Sequence, residues 1–320
     1  RFWELKLGLE GWAVARMVEG LYEERAAKGL PQPHCWLSLE WFSPDGIPGI
    51  AMPFYLAHPR LLRLERKQML EAEGASESAC MRILRHEAGH AIDTAYRLRR
   101  RKRWREVFGR ASQPYPEAYK PKPASRHYVT HLDWWYAQAH PTDDFAETFA
   151  VWLKPGGKWR QQYRGWPAMK KLEFVDQLMG ELAETAPPVR NRRTVEPLWA
   201  MRKTLGRHYR EKKQRYSRDW AEGYDADLRK LFSDEPRYRH RPTAASFLRK
   251  LRPELRESVA RWTGTHRYTI DQVLRDMIDR SKELNLRLAC SQAEARREAM
   301  VMVSVRTMRS ILAGHHRLML

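Results

Sequence analysis

The stretch Leu84-Arg85-His86-Glu87-Ala88-Gly89-His90-Ala91-Ile92-Asp93 decides how the chain is read. Its apolar residues, with Met81 and Ile83 before it, recur at helical spacing. Residues four apart share one face of an α-helix, so His86 and His90 point the same way, one turn apart. Two imidazoles so placed can grip one zinc ion. Glu87 lies on the adjoining flank, where a carboxylate can take a proton from a water held by that zinc. A plainer reading is a polar patch on a surface helix, since the chain holds 12 His. The small and apolar neighbours Ala88, Gly89, Ala91 and Ile92 argue against it. They predict a buried helix, in which unpartnered ionisable groups are costly. Gly89 costs about 1 kcal/mol against Ala inside a helix. Its presence predicts that something, a strand or a substrate, approaches the backbone closely there.

Zinc held by two His needs a third protein ligand if one position is to stay open for water. No His stands six residues beyond His90, where the sequence has Tyr96. The other dense stretch is Tyr136-Ala137-Gln138-Ala139-His140-Pro141-Thr142-Asp143-Asp144-Phe145-Ala146-Glu147-Thr148-Phe149-Ala150-Val151-Trp152-Leu153. From Pro141 it reads as a helix with Phe145, Phe149, Trp152 and Leu153 toward the core. Asp143 and Glu147, four apart, share a face, and such a helix is the natural source of an acidic ligand. His127, His131 and His140 are nearby and read as hydrogen-bonded structural residues.

The two motifs in this order resemble the gluzincin metallopeptidases, in particular the bacterial family described as putative zinc-binding metallopeptidases. They are more distantly similar to the lethal-factor-like and titration-factor-like zinc peptidases. The likeness is carried by His86-Glu87-x-x-His90 and by residues 136–150; Trp166-Pro167-Ala168-Met169-Lys170-Lys171-Leu172-Glu173 adds to it, and it covers roughly 34–184. It implies an α+β, helix-rich, zincin-like fold with a small sheet, one Zn2+ per chain, and hydrolysis of a peptide or protein substrate. Carried over residue by residue, His86, His90 and Asp143 bind the metal and Glu87 is the catalytic base. Tyr136 steadies the oxyanion, and Glu147 supports a ligand His from outside. The family usually has Glu where Asp143 stands. Asp is one methylene shorter, so either the two helices sit closer or Asp144 or Glu147 takes over as ligand.

Outward from the motifs, residues 11–28 and 61–73 read as amphipathic helices. Cys35–Phe42 reads as a strand, Ser43-Pro44-Asp45-Gly46 as a turn, and Ile50–Leu56 as a second extended piece that Pro53 confines to an edge. Either piece is a candidate to receive an extended peptide beside the motif helix. Ser76 or Ser78 can cap that helix, which should reach about Arg97, with the basic run Arg97–Arg103 at its C-terminal end. Residues 109–127 form an aperiodic loop, long enough to cover a site. Residues 166–184 close the unit with another helix.

Pro187-Pro188 marks a boundary, giving a catalytic domain over 1–188 and a basic, mainly helical domain over 189–320. From Arg190 onward there are 31 basic and 16 acidic residues, a net of +15 out of +20 for the chain. That surplus suggests an acidic partner or nucleic acid, and the aromatics among the basic residues of 202–218 could stack on bases. Solvated helix faces and helix packing are the plainer account. Apolar stripes (Phe247, Leu248, Leu251, Leu255, Val259; Ile270, Val273, Leu274, Met277, Ile278) predict a helical bundle. A non-enzymatic binding protein on the same scaffold is therefore the rival reading. Cys35, Cys80 and Cys290 form no CxxC pair, which points to a reducing, cytoplasmic setting. No run is long and apolar enough to span a membrane. The chain begins at Arg1 rather than Met, which leaves room for a removed leader.

Overall fold

The computed structural model describes residues 1–10, 13–116, 119–216 and 224–312. Among these, residues 1–66 and 72–205 form one unit, and residues 67–71 and 206–312 a second. Residues 189–205, beyond the double proline, cluster with the first unit.

The first unit runs α1 (Ala13–Ala26), β1 (His34–Ser38), β2 (Gly49–Pro53), α2 (Pro59–Met69, whose last turn belongs to the second unit), α3 (Glu77–Tyr96), α4 (Lys102–Phe108), α5 (Pro141–Leu153), the single-turn α6 (Trp159–Gln162) and α7 (Met169–Leu182). The expected α+β, helix-rich architecture is what the chain adopts, with only small sheets.

The motif helix α3 begins where Ser76 Oγ accepts the Ala79 backbone N–H at 3.2 Å. Arg97 ends it in the left-handed region at φ 53°. The basic run therefore lies past the helix, in a short 3-10 turn and the start of α4. Twelve residues of α3 are buried, among them Ile83, Leu84, Ala88, Ala91 and Ile92. Its principal neighbour is α5, which is buried along nearly its whole length. Gly89 sits where the two helices cross: a Cβ there would lie 2.6 Å from Ala146 Cα. The close approach predicted from Gly89 is thus made by a helix, rather than by a strand or a substrate.

The expected strand 35–42 is broken. β1 stops at Ser38 and pairs parallel with β2, Cys35 opposite Ile50 and Leu37 opposite Met52. Phe42 returns on the other side of β2, where its N–H and C=O both bond to Ala51 (3.3 and 2.8 Å). β2 is therefore flanked on both edges at Ala51. The neighbouring Ser43 hydroxyl donates to the Glu87 carbonyl at 3.1 Å, which sets this returning segment beside the motif helix.

The second unit comprises α8 (Leu205–Tyr216), α9 (Tyr224–Leu231), β3 (Phe232–Ser233), α10 (Ala244–Thr263), α11 (Arg267–Glu283), β4 (Arg287–Leu288) and α12 (Gln292–Leu312). Phe247, Leu248, Leu255, Val259, Ile270, Val273, Leu274, Met277 and Ile278 are all in its core, and Leu251 packs against them partly exposed. β3 and β4 form a two-residue antiparallel ribbon. The buried Asp271 carboxylate takes Arg252, Arg256 and Arg275 at 2.7–3.2 Å. His208 and Tyr209, expected as possible stacking rings, are buried; residues 217 and 218 of that basic stretch lie outside the described chain. Among the described residues no helix is long and apolar enough to cross a membrane.

Candidate metal centre

α3 and α5 bring three predicted side chains to one point. His86 Nε2 and His90 Nε2 lie 3.1 Å apart. Asp143 Oδ1 lies 3.2 Å from His90 Nε2 and 3.8 Å from His86 Nε2. With bonds of about 2.0–2.1 Å, donors around a tetrahedral zinc stand roughly 3.3 Å apart. The three observed separations bracket that edge, so one ion fits against all three donors. Asp143 is 2% exposed and its Oδ2 has no hydrogen-bond partner. A buried carboxylate facing two imidazoles without a compensating donor is poorly satisfied by protein alone, and a cation supplies what is missing. His86, His90 and Asp143 form the one cluster of metal-capable residues found among the described residues.

Glu147 meets the opposite nitrogen of the His86 ring: Nδ1–H donates to Glu147 Oε1 at 2.9 Å. That hydrogen bond fixes the tautomer, leaving the Nε2 lone pair toward His90 and Asp143. Burial pulls the His86 pKa down, but the bond to Glu147 and the charges of Glu147, Glu87 and Asp143 outweigh it and hold the ring above its usual value. The second oxygen of Glu147 accepts the Leu132 backbone N–H at 2.8 Å. Asp144 faces elsewhere, its carboxylate 2.6 Å from Lys171 Nζ. Burial lifts that carboxyl to about 7 against the pull of Lys171. Of the three acids in the stretch, then, Asp143 faces the imidazole pair, Glu147 backs it, and Asp144 does neither.

Glu87 is 3% exposed and its Oε2 is unpartnered. Tyr136 stands with its ring centroid 5.4 Å from that of His86. Burial first, then the charges of Asp143, Tyr115, Glu87 and Glu147, push its phenol far up, so it is a proton donor at any physiological pH. The turn before it is unusual: Trp134 (φ 65°, ψ 16°) and Trp135 (φ 54°, ψ 44°) are both left-handed. His140 caps α5, its Nδ1 accepting from the Thr142 N–H at 3.3 Å while its Nε2 meets Gln113 O at 3.0 Å. His131 Nε2 donates to Arg82 O at 2.9 Å. Both rings are thus hydrogen-bonded to backbone atoms.

Sequence reasoning missed several supporting residues. Arg25 is fully buried, bonding Pro31 O at 2.8 Å and Ala88 O of the motif helix at 3.4 Å. Burial lowers its guanidinium to about 10. In the 109–127 loop, Tyr115 stacks on His140 and bonds Thr142 Oγ1 at 2.5 Å. Tyr119 donates to Trp134 O at 2.8 Å. The loop's two tyrosines were the only hint, and nothing in a single sequence says which wall they would touch.

A His-x-x-x-His pair on one helix joined by a carboxylate from a second, with an acid beside the first His, has the donor set of a zinc metallopeptidase. Residues 64–157 match the family described as putative zinc-binding metallo-peptidase, the family that the two motifs resemble. No curated protein and no solved structure matches the chain.

Proposed function

We propose that this protein is a zinc-dependent peptidase that cleaves peptide bonds in a peptide or protein substrate, with one Zn2+ per chain held by His86, His90 and Asp143. The observation that carries the reading is the tetrahedral spacing of these three donors, with the unpartnered Oε2 of buried Glu87 on the same helix as the two imidazoles. A bound zinc would polarise the scissile carbonyl and acidify a water at its open position. Glu87 takes the proton from the water as its oxygen bonds to the carbonyl carbon. It then gives that proton to the amine nitrogen as the C–N bond breaks. Tyr136 donates its phenolic hydrogen to the developing oxyanion. Glu147 keeps His86 in the tautomer with Nε2 free.

Metal content and hydrolysis of a mixed peptide library test this in the wild type and in Glu87→Gln. The variant should keep its zinc and lose about 10²–10⁴-fold in rate. Full activity in Glu87→Gln would overturn the mechanism. The rival reading is a scaffold that binds nucleic acid or an acidic protein; of its three interleaved rings, His208 and Tyr209 are buried, and the half-buried Tyr216 packs against His266 at 4.2 Å between ring centroids.

A further inference from the structure

Two consecutive tryptophans in the left-handed region demand a reason. Bulky residues other than glycine rarely adopt a positive φ, and two in succession persist only where surrounding contacts over-determine them. Here those contacts come from both sides of the turn. From inside, Glu147 Oε2 accepts the Leu132 N–H at 2.8 Å while its other oxygen holds His86. From outside, the Tyr119 hydroxyl donates to the Trp134 carbonyl at 2.8 Å. Just past Tyr136, the Gln138 side chain is doubly bonded to the Lys122 backbone, at 2.8 and 3.1 Å. The reversed turn between these anchors delivers Tyr136 to the His86 ring. An extended or right-handed path from Leu132 would carry the phenol elsewhere.

We infer that Tyr119 is a positioning residue: by holding the Trp134 carbonyl it locks the left-handed Trp134–Trp135 turn and so aims the Tyr136 phenol at the reacting carbonyl. The inference rests on the role proposed above for Tyr136, but its geometric half stands without it. Glu147 contributes to the same lock, tying the pose of Tyr136 to that of His86 through one carboxylate.

Tyr119→Phe removes the hydroxyl and keeps the ring. In the metal-free, full-length chain carrying labelled tyrosine and histidine, a nuclear Overhauser contact between the Tyr136 and His86 rings should be present in the wild type and lost or clearly weakened in Tyr119→Phe. In the zinc-loaded enzyme, kcat should fall about tenfold or more with KM nearly unchanged, because a misplaced donor acts on the transition state. Zinc affinity should stay within about twofold, since no donor is touched. Tyr119→Phe should have no further effect in a Tyr136→Phe background, whereas a merely structural role would lower activity equally in both. A persisting ring contact, or equal losses in the two backgrounds, overturns the inference. Should the wild type show no hydrolysis, the peptidase reading fails while the ring contact still decides the geometry.

Discussion

Asp143 has a short side chain, and the two helices it depends on cross closely at Gly89. A side chain at Gly89 would meet the Ala146 backbone at 2.6 Å; with none, Asp143 Oδ1 stands 3.2 Å from His90 Nε2 and 3.8 Å from His86 Nε2. Glu147 is the other decisive residue, because its two oxygens serve two masters, His86 Nδ1 and the Leu132 N–H. Glu147→Gln leaves one acceptor for two donors. Its zinc affinity should drop about 10–100-fold, read by competition with a chromophoric chelator, while His86, His90 and Asp143 remain unchanged. The same variant should also lower kcat, since the turn that carries Tyr136 loses its inner anchor.

At the scale of elements, Gly89→Ala tests the crossing of α3 and α5. Overpacking a buried contact of this kind costs about 1–3 kcal/mol, and the separation it forces should weaken zinc binding as well as thermal stability. Two measurements on one variant therefore report the same displacement. In the second unit, the cap of α11 makes a separate prediction. His266 Nδ1 accepts the Tyr268 N–H at 3.1 Å, and its Nε2 lies 3.0 Å from Glu71 Oε1. Burial, with the charges of Lys212 and Arg267, pushes the ring down to about 3, so it stays neutral in the folded unit. The unfolded chain takes up the proton at the ordinary histidine value of about 6.5. The stability from this site is therefore complete above about 6.5 and is lost as the pH falls toward 3. Asn can cap the helix without titrating, so denaturant midpoints for His266→Asn should fall less steeply between pH 7 and 5 than those of the wild type; parallel curves would remove the account.

The motif helix and α5 were legible because each combines a helical period with a start signal, Ser76 or Ser78 in one case and Pro141 in the other; that Ser76 and His140 are the caps came from the structure. The burial of α3 followed from its small and apolar composition, whereas α5, read with one core face, is buried nearly all round. The break in the strand after Ser38 was not legible, since Trp41 and Phe42 favour extended structure whichever neighbour they pair with. Nor was the Trp134–Trp135 turn, because tryptophan carries no propensity for a positive φ and its cause lies in Tyr119 and Glu147, distant in sequence. Which of Asp143, Asp144 and Glu147 faces the two imidazoles likewise depended on which way α5 rotates against α3, and neighbours beyond the helix decide that.

For the molecule as a whole, several arginines of the C-terminal half are tied to acids of the same unit, and the +15 is the excess beyond those pairs. Asp271 alone engages three arginines, and Arg280, Arg296 and Arg306 pair with Asp225, Glu254 and Asp227. The candidate metal cluster found among the described residues, by contrast, lies within the first unit. Zinc at about 100 times its dissociation constant should stabilise that unit by about 2.7 kcal/mol. In calorimetry the transition assigned to it should move up with zinc and return with a chelator.

The most direct test of the central claim is a zinc titration of the purified chain, followed by X-ray absorption at the zinc edge, for the wild type and Asp143→Ala. The account predicts one zinc per chain in the wild type, with two imidazole nitrogens and a carboxylate oxygen at about 2.0–2.2 Å, and loss of the oxygen ligand with much weaker binding in Asp143→Ala. Equal affinity and the same ligand shell in both proteins, or no stoichiometric zinc in either, would contradict it.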